Sequence, residues 1–244
     1  METSLSIREN LDRVRERIAR AAERAGRRPA DVAIVAVTKT HGPETVTAAI
    51  EAGITDVGEN RVQEFLAKAP AVALPCRWHL VGHLQTNKVA KAVGRFALIQ
   101  SVDSLKLAEH IGRTGETIGV RGAAGVTAPD GGERSPDSAG SRGVSTDILL
   151  EVNTSGGPSK YGFAPEETLA ACALIAKTAN VRIRGLMTVG PLAGGTAAAA
   201  ASFERLRRLA DEIRSARIES VSMEHLSMGM SDDFETAIIE GSTT

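Results

Sequence analysis

The chain has 244 residues, with 29 Lys plus Arg against 30 Asp plus Glu, a net charge of −1, 42% hydrophobic residues and 3% aromatic ones. Such figures exclude a disordered chain and a disulfide scaffold, and the balanced charge argues against a general nucleic-acid binder. Only two cysteines, Cys76 and Cys172, fit a reducing cytoplasm without metal-ligand spacing, and no apolar run reaches the ~20 residues needed to cross a membrane.

METSLSIREN has neither the basic start nor the apolar core of a signal peptide. Residues 4–25 read as an amphipathic helix, with Leu11, Val14, Ile18 and Ala22 at helical spacing. Glu9 with Arg13, Glu16 with Arg20 and Glu23 with Arg27 stand at i,i+4, which favours a solvated face over a basic patch. From Val32 the pattern becomes strand, turn, helix, repeated. Val32–Val37 is a continuous apolar run, as in a strand covered on both sides. Pro43 and Glu44 open a helix that closes at Gly53. Further strands are expected at Ile54–Val57, Trp78–Val81, Ala97–Val102, Asp147–Val152, Arg182–Val189 and Ser220–Leu226. Helices are expected at 61–69, 86–93, 104–112, 165–179, 197–216 and 232–240.

Strands alternating with such helices predict parallel βαβ units. The expectation is a single domain over 1–244, a TIM-type (β/α) barrel of about the usual size. It carries an extra N-terminal helix, and seven strands are counted where closure needs eight. Residues 121–146, rich in Gly, Ser, Pro and Ala, read as a mobile inserted loop.

Four places could carry chemistry. Lys39 ends the first strand, at the carboxyl end where barrel active sites lie. A lysine buried there loses proton affinity and can attack an aldehyde, although a strand-end lysine can equally reach into solvent. Gly58-Glu59-Asn60 closes the second strand, with Asn60 either capping the next helix or offering its amide to a ligand. Trp78–Lys88 (WHLVGHLQTNK) places His79 and Val81 on one strand face and Trp78 and Leu80 on the other. His79 is then a ligand contact or a satisfied core histidine; with no third ligand beside His83, a metal site is not expected. Ser227–Asp233 (SMGMSDD) is a Gly-containing loop entering a helix, suited to an anion, though Ser231 capping with Asp232 and Asp233 in the first turn explains it without one. A lysine at one rim position and an anion cradle at another together suit pyridoxal phosphate (PLP). A cofactor-free sugar-phosphate barrel would need a carboxylate near Lys39, for which Glu59 is the candidate.

Val35–Thr40 (VAVTKT), Gly58–Gln63 (GENRVQ), Trp78–Lys88, Arg184–Met187 (RGLM) and Leu226–Asp233 (LSMGMSDD), in this order, resemble the PLP homeostasis protein family. The resemblance implies a single barrel similar to the N-terminal domain of alanine racemase. It implies that Lys39 holds PLP as a Schiff base, that Ser227 and Gly229 help hold the phosphate, and that Asn60, His79 and Met187 line the pocket. The implied role is PLP and vitamin B6 homeostasis in the cytoplasm without robust catalysis, as a monomer, with PLP-dependent apo-enzymes as recipients. The alternative is an amino-acid racemase, whose second proton-transfer group is, by the same resemblance, a tyrosine on an additional β-domain. The sole tyrosine here, Tyr161, reads as a loop residue. Relatives continue past 241–243 into an eighth strand, so weaker PLP retention and lower stability are expected of the chain as it stands.

Overall fold

The computed structural model describes residues 2–121, 143–157, 161–191 and 193–244. Helix α1 (Glu2–Arg24) precedes β1 (Val35–Val37), α2 (Pro43–Glu51), β2 (Asp56–Glu59), α3 (Val62–Lys68) and β3 (Arg77–Leu80). Then come α4 (Val89–Ala92), β4 (Leu98–Val102), α5 (Leu105–Arg121), β5 (Thr146–Glu151) and α6 (Pro165–Ile175). The chain closes with β6 (Val181–Met187), α7 (Gly195–Ala216), β7 (Val221–Ser227) and α8 (Phe234–Ile239). All seven strands are parallel and neighbour one another in sequence order. Ser227 on β7 hydrogen-bonds to Gln100 on β4, so the sheet is rolled into a barrel rather than open. The expected seven strands and leading helix are thus present.

Alternation along the strands sorts side chains. Leu80, Ile99, Ile148, Leu150, Ile183 and Leu186 face outward under the helices, in a core shared with Phe203 and Leu206 of α7. Leu98, Leu149 and Met187 form a small apolar plug on the inside. Helix α1 lays Ile18, Ala21 and Ala22 against Ile238 of α8, with Val32 and Ile34 beside them. Arg17 pairs with Glu235 at 3.1 Å and lies over the Phe234 ring, while Arg27 donates to the carbonyls of Ile238 and Ser242. This helix therefore ties the first strand's surroundings to the last helix.

The chain's final residues lie in the seam between β7 and the start of β1. Thr243 donates its N–H to Leu226 O and accepts from Ala33 N–H, at 3.0 and 2.9 Å.

Several boundaries differ from expectation. The first strand is Val35–Val37 rather than 32–37, because the 3₁₀ turn at Pro29–Asp31 precedes it and only β2 pairs with it in the sheet. It is not covered on both sides: Val37 is 42% exposed, facing the barrel mouth. The helix expected at 86–93 divides into a 3₁₀ turn at Thr86–Lys88 and α4. Helix α5 runs past 112 to Arg121 because Gly112 and Gly115 are packing positions, not stops. A Cβ at either would lie 2.5 Å from Ala179 O or 2.3 Å from Val144 O. Helix α6 ends at Ile175, short of 179, and Asn180 (φ 61°) turns the chain into β6. Helix α8 starts at Phe234 rather than 232, with Asp233 and not Ser231 at the N-cap. Of the insert placed at 121–146, residues 122–142 lie outside the described residues, and Thr146 already belongs to β5.

Candidate functional site

Lys39 follows β1 at the carboxyl ends of the strands, in the turn two residues beyond Val37. It is exposed, so the expected desolvation is absent; the β1 side of the mouth is open rather than walled. Its backbone is anchored from outside the barrel. Thr38 Oγ1 donates to Glu59 Oε1 at 2.6 Å, and the buried Lys68 ammonium binds both Glu59 and Thr38 O. Glu59 therefore serves α3, not Lys39, which removes the carboxylate that the sugar-phosphate reading needs. Immediately after the lysine, Thr40 takes a left-handed conformation (φ 66°). For a β-branched residue this costs roughly 1–3 kcal/mol, a kind of strain that collects at functional sites.

The next rim position is kept clear. A Cβ at Gly58 would come within 3.0–3.1 Å of Val35, Val37 and Val81, and one at Gly82 within 2.3 Å of Asn60 O. The β2 and β3 ends thus sit close together with no side chain between them. Asn60 does not cap α3, whose N-cap is Arg61. It lines an open cleft of about 680 Å³ with Gln63, His83, Gln85 and Lys88.

His79 lies deeper. Buried on the inner face of β3, its Nε2 is 2.8 Å from Asp56 Oδ1 and its Nδ1 2.9 Å from Gln100 Nε2. Ser227 Oγ donates to Gln100 Oε1 at 2.7 Å. A polar chain thus crosses the barrel from Asp56 on β2 to Ser227 on β7. Burial opposes charge on Asp56, but hydrogen bonds from His79, Arg77 and Thr55 outweigh it and hold the carboxyl well below the usual range. Met187 packs with Leu98 and Leu149 beneath the mouth. The structure therefore joins His79 to Ser227, and keeps Met187 as a buried floor.

At the β7 rim, Gly229 has φ 89°, and a Cβ there would lie 2.6 Å from that of Ala237, so only glycine permits this turn. Asp233 Oδ1 accepts the Met230 N–H and folds the loop back on itself. Ser227 and Lys39 stand at the ends of the two strands flanking the seam. Tyr161, 59% exposed, stacks on His83 with ring centroids 4.1 Å apart, and His83 pairs with Asp103 at 3.1 Å. Burial pushes the thiols of Cys76 and Cys172 up to about 11 and about 12, so neither is a ready nucleophile.

Asp56 and Gln100 were missed by sequence reasoning, although each leaves a signal: a polar residue inside an apolar strand run, ITDV and ALIQSV. Together, an exposed amine, a cleared rim, and a hydroxyl beside a glycine turn suit a small aldehyde that carries a phosphate.

Residues 10–242 match the family model described as alanine racemase, N-terminal domain. The chain is 38% identical over 239 residues to a pyridoxal phosphate homeostasis protein of Pseudomonas aeruginosa, covering 98% of this chain and 91% of that one. It is 37% identical over 236 residues to the protein of that name in Aquifex aeolicus, covering 96% and 92%. Among solved structures, PipY of Synechococcus elongatus with PLP bound superposes with a TM-score of 0.72 at 34% identity, over 92% of this chain and 94% of that one. The rolled parallel sheet and the sequence kinship agree, and the chain belongs to the alanine racemase N-terminal-domain family, among the pyridoxal phosphate homeostasis proteins.

Proposed function

We propose that this chain binds PLP at the mouth of its barrel and serves PLP homeostasis as a carrier rather than as an enzyme. The observation that carries this reading is the pairing of Lys39 with the Ser227–Gly229 turn on the two strands that flank the seam, in a chain 34% identical to a relative solved with PLP. When bound, PLP supplies an aldehyde that condenses with an amine. Lys39, its backbone set between the anchored Thr38 and the strained Thr40, offers Nζ as the covalent attachment point. Ser227 and the tight Gly229 turn receive the phosphate, Asn60 borders the mouth, and Met187 floors it.

An exposed Lys39 fits a carrier, because solvent access lets the attachment form and hydrolyse reversibly. A racemase needs a second proton-transfer group held opposite the lysine. Tyr161 is instead occupied in a stack on His83. The proposed setting is cytoplasmic and monomeric, with PLP-dependent apo-enzymes as recipients.

Borohydride reduction of the PLP-loaded chain followed by peptide mapping tests the reading. The expected adduct lies on Lys39 and is abolished by Lys39→Ala with the circular dichroism unchanged. An adduct elsewhere, or none, refutes it, and racemisation of alanine or serine above background would restore the enzyme reading.

A further inference from the structure

The polar chain inside the barrel has a direction. An amide nitrogen only donates, an amide oxygen only accepts, and a charged carboxylate only accepts. With Gln100 Nε2 on His79 Nδ1 and His79 Nε2 on Asp56 Oδ1, His79 carries its single proton on Nε2. Ser227 commits its only hydroxyl proton to Gln100 Oε1. In this arrangement Ser227 meets an incoming anion with lone pairs alone, and that contact is repulsive.

The same heavy atoms allow the reverse arrangement. Ser227 turns its O–H toward the anion, and the Gln100 amide rotates half a turn so that Nε2 donates to Ser227 Oγ. Gln100 Oε1 then faces His79 Nδ1, which must hold a proton to be compatible. That proton comes from solvent, one N–H bond forms, and no other covalent bond changes. The resulting imidazolium lies between the Gln100 oxygen and the Asp56 carboxylate.

We propose that Gln100 is a positioning residue that couples anion capture by Ser227 to protonation of His79, so that one proton is taken up for each phosphate group held. The inference rests on the Ser227–Gly229 turn being the phosphate site. The surroundings of His79 set the balance. Asp56 on β2 favours the added charge, whereas Arg77 on β3, paired with Asp56, and His225 on β7 oppose it. Burial, chiefly, keeps His225 below its ordinary value, with Glu224 and Arg184 also acting on it. Strand β1 presents Val35 and Val37 to the interior, and Leu98, Leu149 and Met187 are apolar. On the face of Leu149, strand β5 adds the buried Glu151 toward the mouth and Asp147 below, the latter paired with Arg182 and Arg184 of β6.

Sulfate is the probe, because it stays a dianion through the neutral range and any proton taken up belongs to the protein. Calorimetry in buffers of different ionisation enthalpy is expected to show uptake approaching ~1 proton per sulfate, with affinity falling by up to about tenfold per pH unit as pH rises. The His79 Nδ1 nitrogen resonance moves from acceptor to protonated as sulfate is added. In Gln100→Leu the uptake and the pH slope disappear while sulfate still binds. Undiminished uptake in that variant, or sulfate binding to the natural chain with Nδ1 unprotonated, overturns the coupling alone. Should neither sulfate nor PLP bind the natural chain, the phosphate site itself is wrong and the coupling falls with it. The nitrogen resonance of the natural chain decides the matter if Gln100→Leu does not fold.

Discussion

The β4–β6 wall and the seam between β7 and β1 are built from the same parallel strands, yet they are held by different means. In the wall, Ile99, Ile148, Leu149, Leu150 and Leu186 have no exposed surface, and each strand has a hydrogen-bonded neighbour on both sides. At the seam, β1 pairs in the sheet with β2 alone. Thr243 bridges to Ala33 and Leu226, and the outside is clamped by Arg17 of α1 and by Arg27 just beyond that helix. The wall depends on a continuous apolar core, whereas the seam adds hydrogen bonds and ion pairs to the small apolar cluster of Ile18, Ala21, Ala22 and Ile238. Lys39 belongs to the second, where solvent reaches it.

That contrast can be broken at several points. Leu150→Ala, in the wall, is expected to cost about 2–5 kcal/mol in chemical denaturation, since the lost burial and the cavity add together. Asp56→Asn is expected to cost about 2 kcal/mol at pH 7, because His79, Arg77 and Thr55 lose a charged acceptor. The sign follows from linkage. The folded carboxyl titrates below its ordinary value of 3.8, so its contribution is complete above that value and erodes as pH falls beneath it. Melts of both chains should therefore converge in acid. At the seam, Arg27→Ala removes two carbonyl contacts and is expected to cost about 1–2 kcal/mol, with hydrogen exchange rising first in α8 and at 242–244. Val37→Ala, on the open side, should cost less than about 1 kcal/mol, because a side chain 42% exposed has little burial to lose. A Val37 cost equal to that of Leu150 would refute the contrast.

The order of strands and helices was legible because periodicity and β-branched runs report burial directly, and the wall obeys that rule throughout. Its failures fall where tertiary contact overrides local signal. Gly112 and Gly115 look like helix stops until the Ala179 and Val144 carbonyls pressed against them are seen. Val32–Ile34 looks like strand but lies outside the sheet, since β1 pairs with β2 only from Val35. Within the site, the rim positions of Lys39, Asn60 and the 227–229 turn could be placed by counting along strands. That His79 and Ser227 share one hydrogen-bonded chain could not, because it depends on Asp56 and Gln100 meeting them across the roll of the sheet. Nor does any local pattern foretell that the valines before Lys39 leave it in water.

The Thr38–Glu59–Lys68 cluster carries one more lesson. Glu59 Oε2 is buried without a hydrogen-bond partner among the described residues, so its charge leans on the Lys68 ammonium and on Thr38 through the other oxygen. Severing that support from the α3 side, as Lys68→Met does, strands a carboxylate in apolar surroundings. The release would be felt one peptide bond away, at the amine. The setting of Lys39 is thus governed from the barrel's back, by a cluster remote from the residues of the mouth.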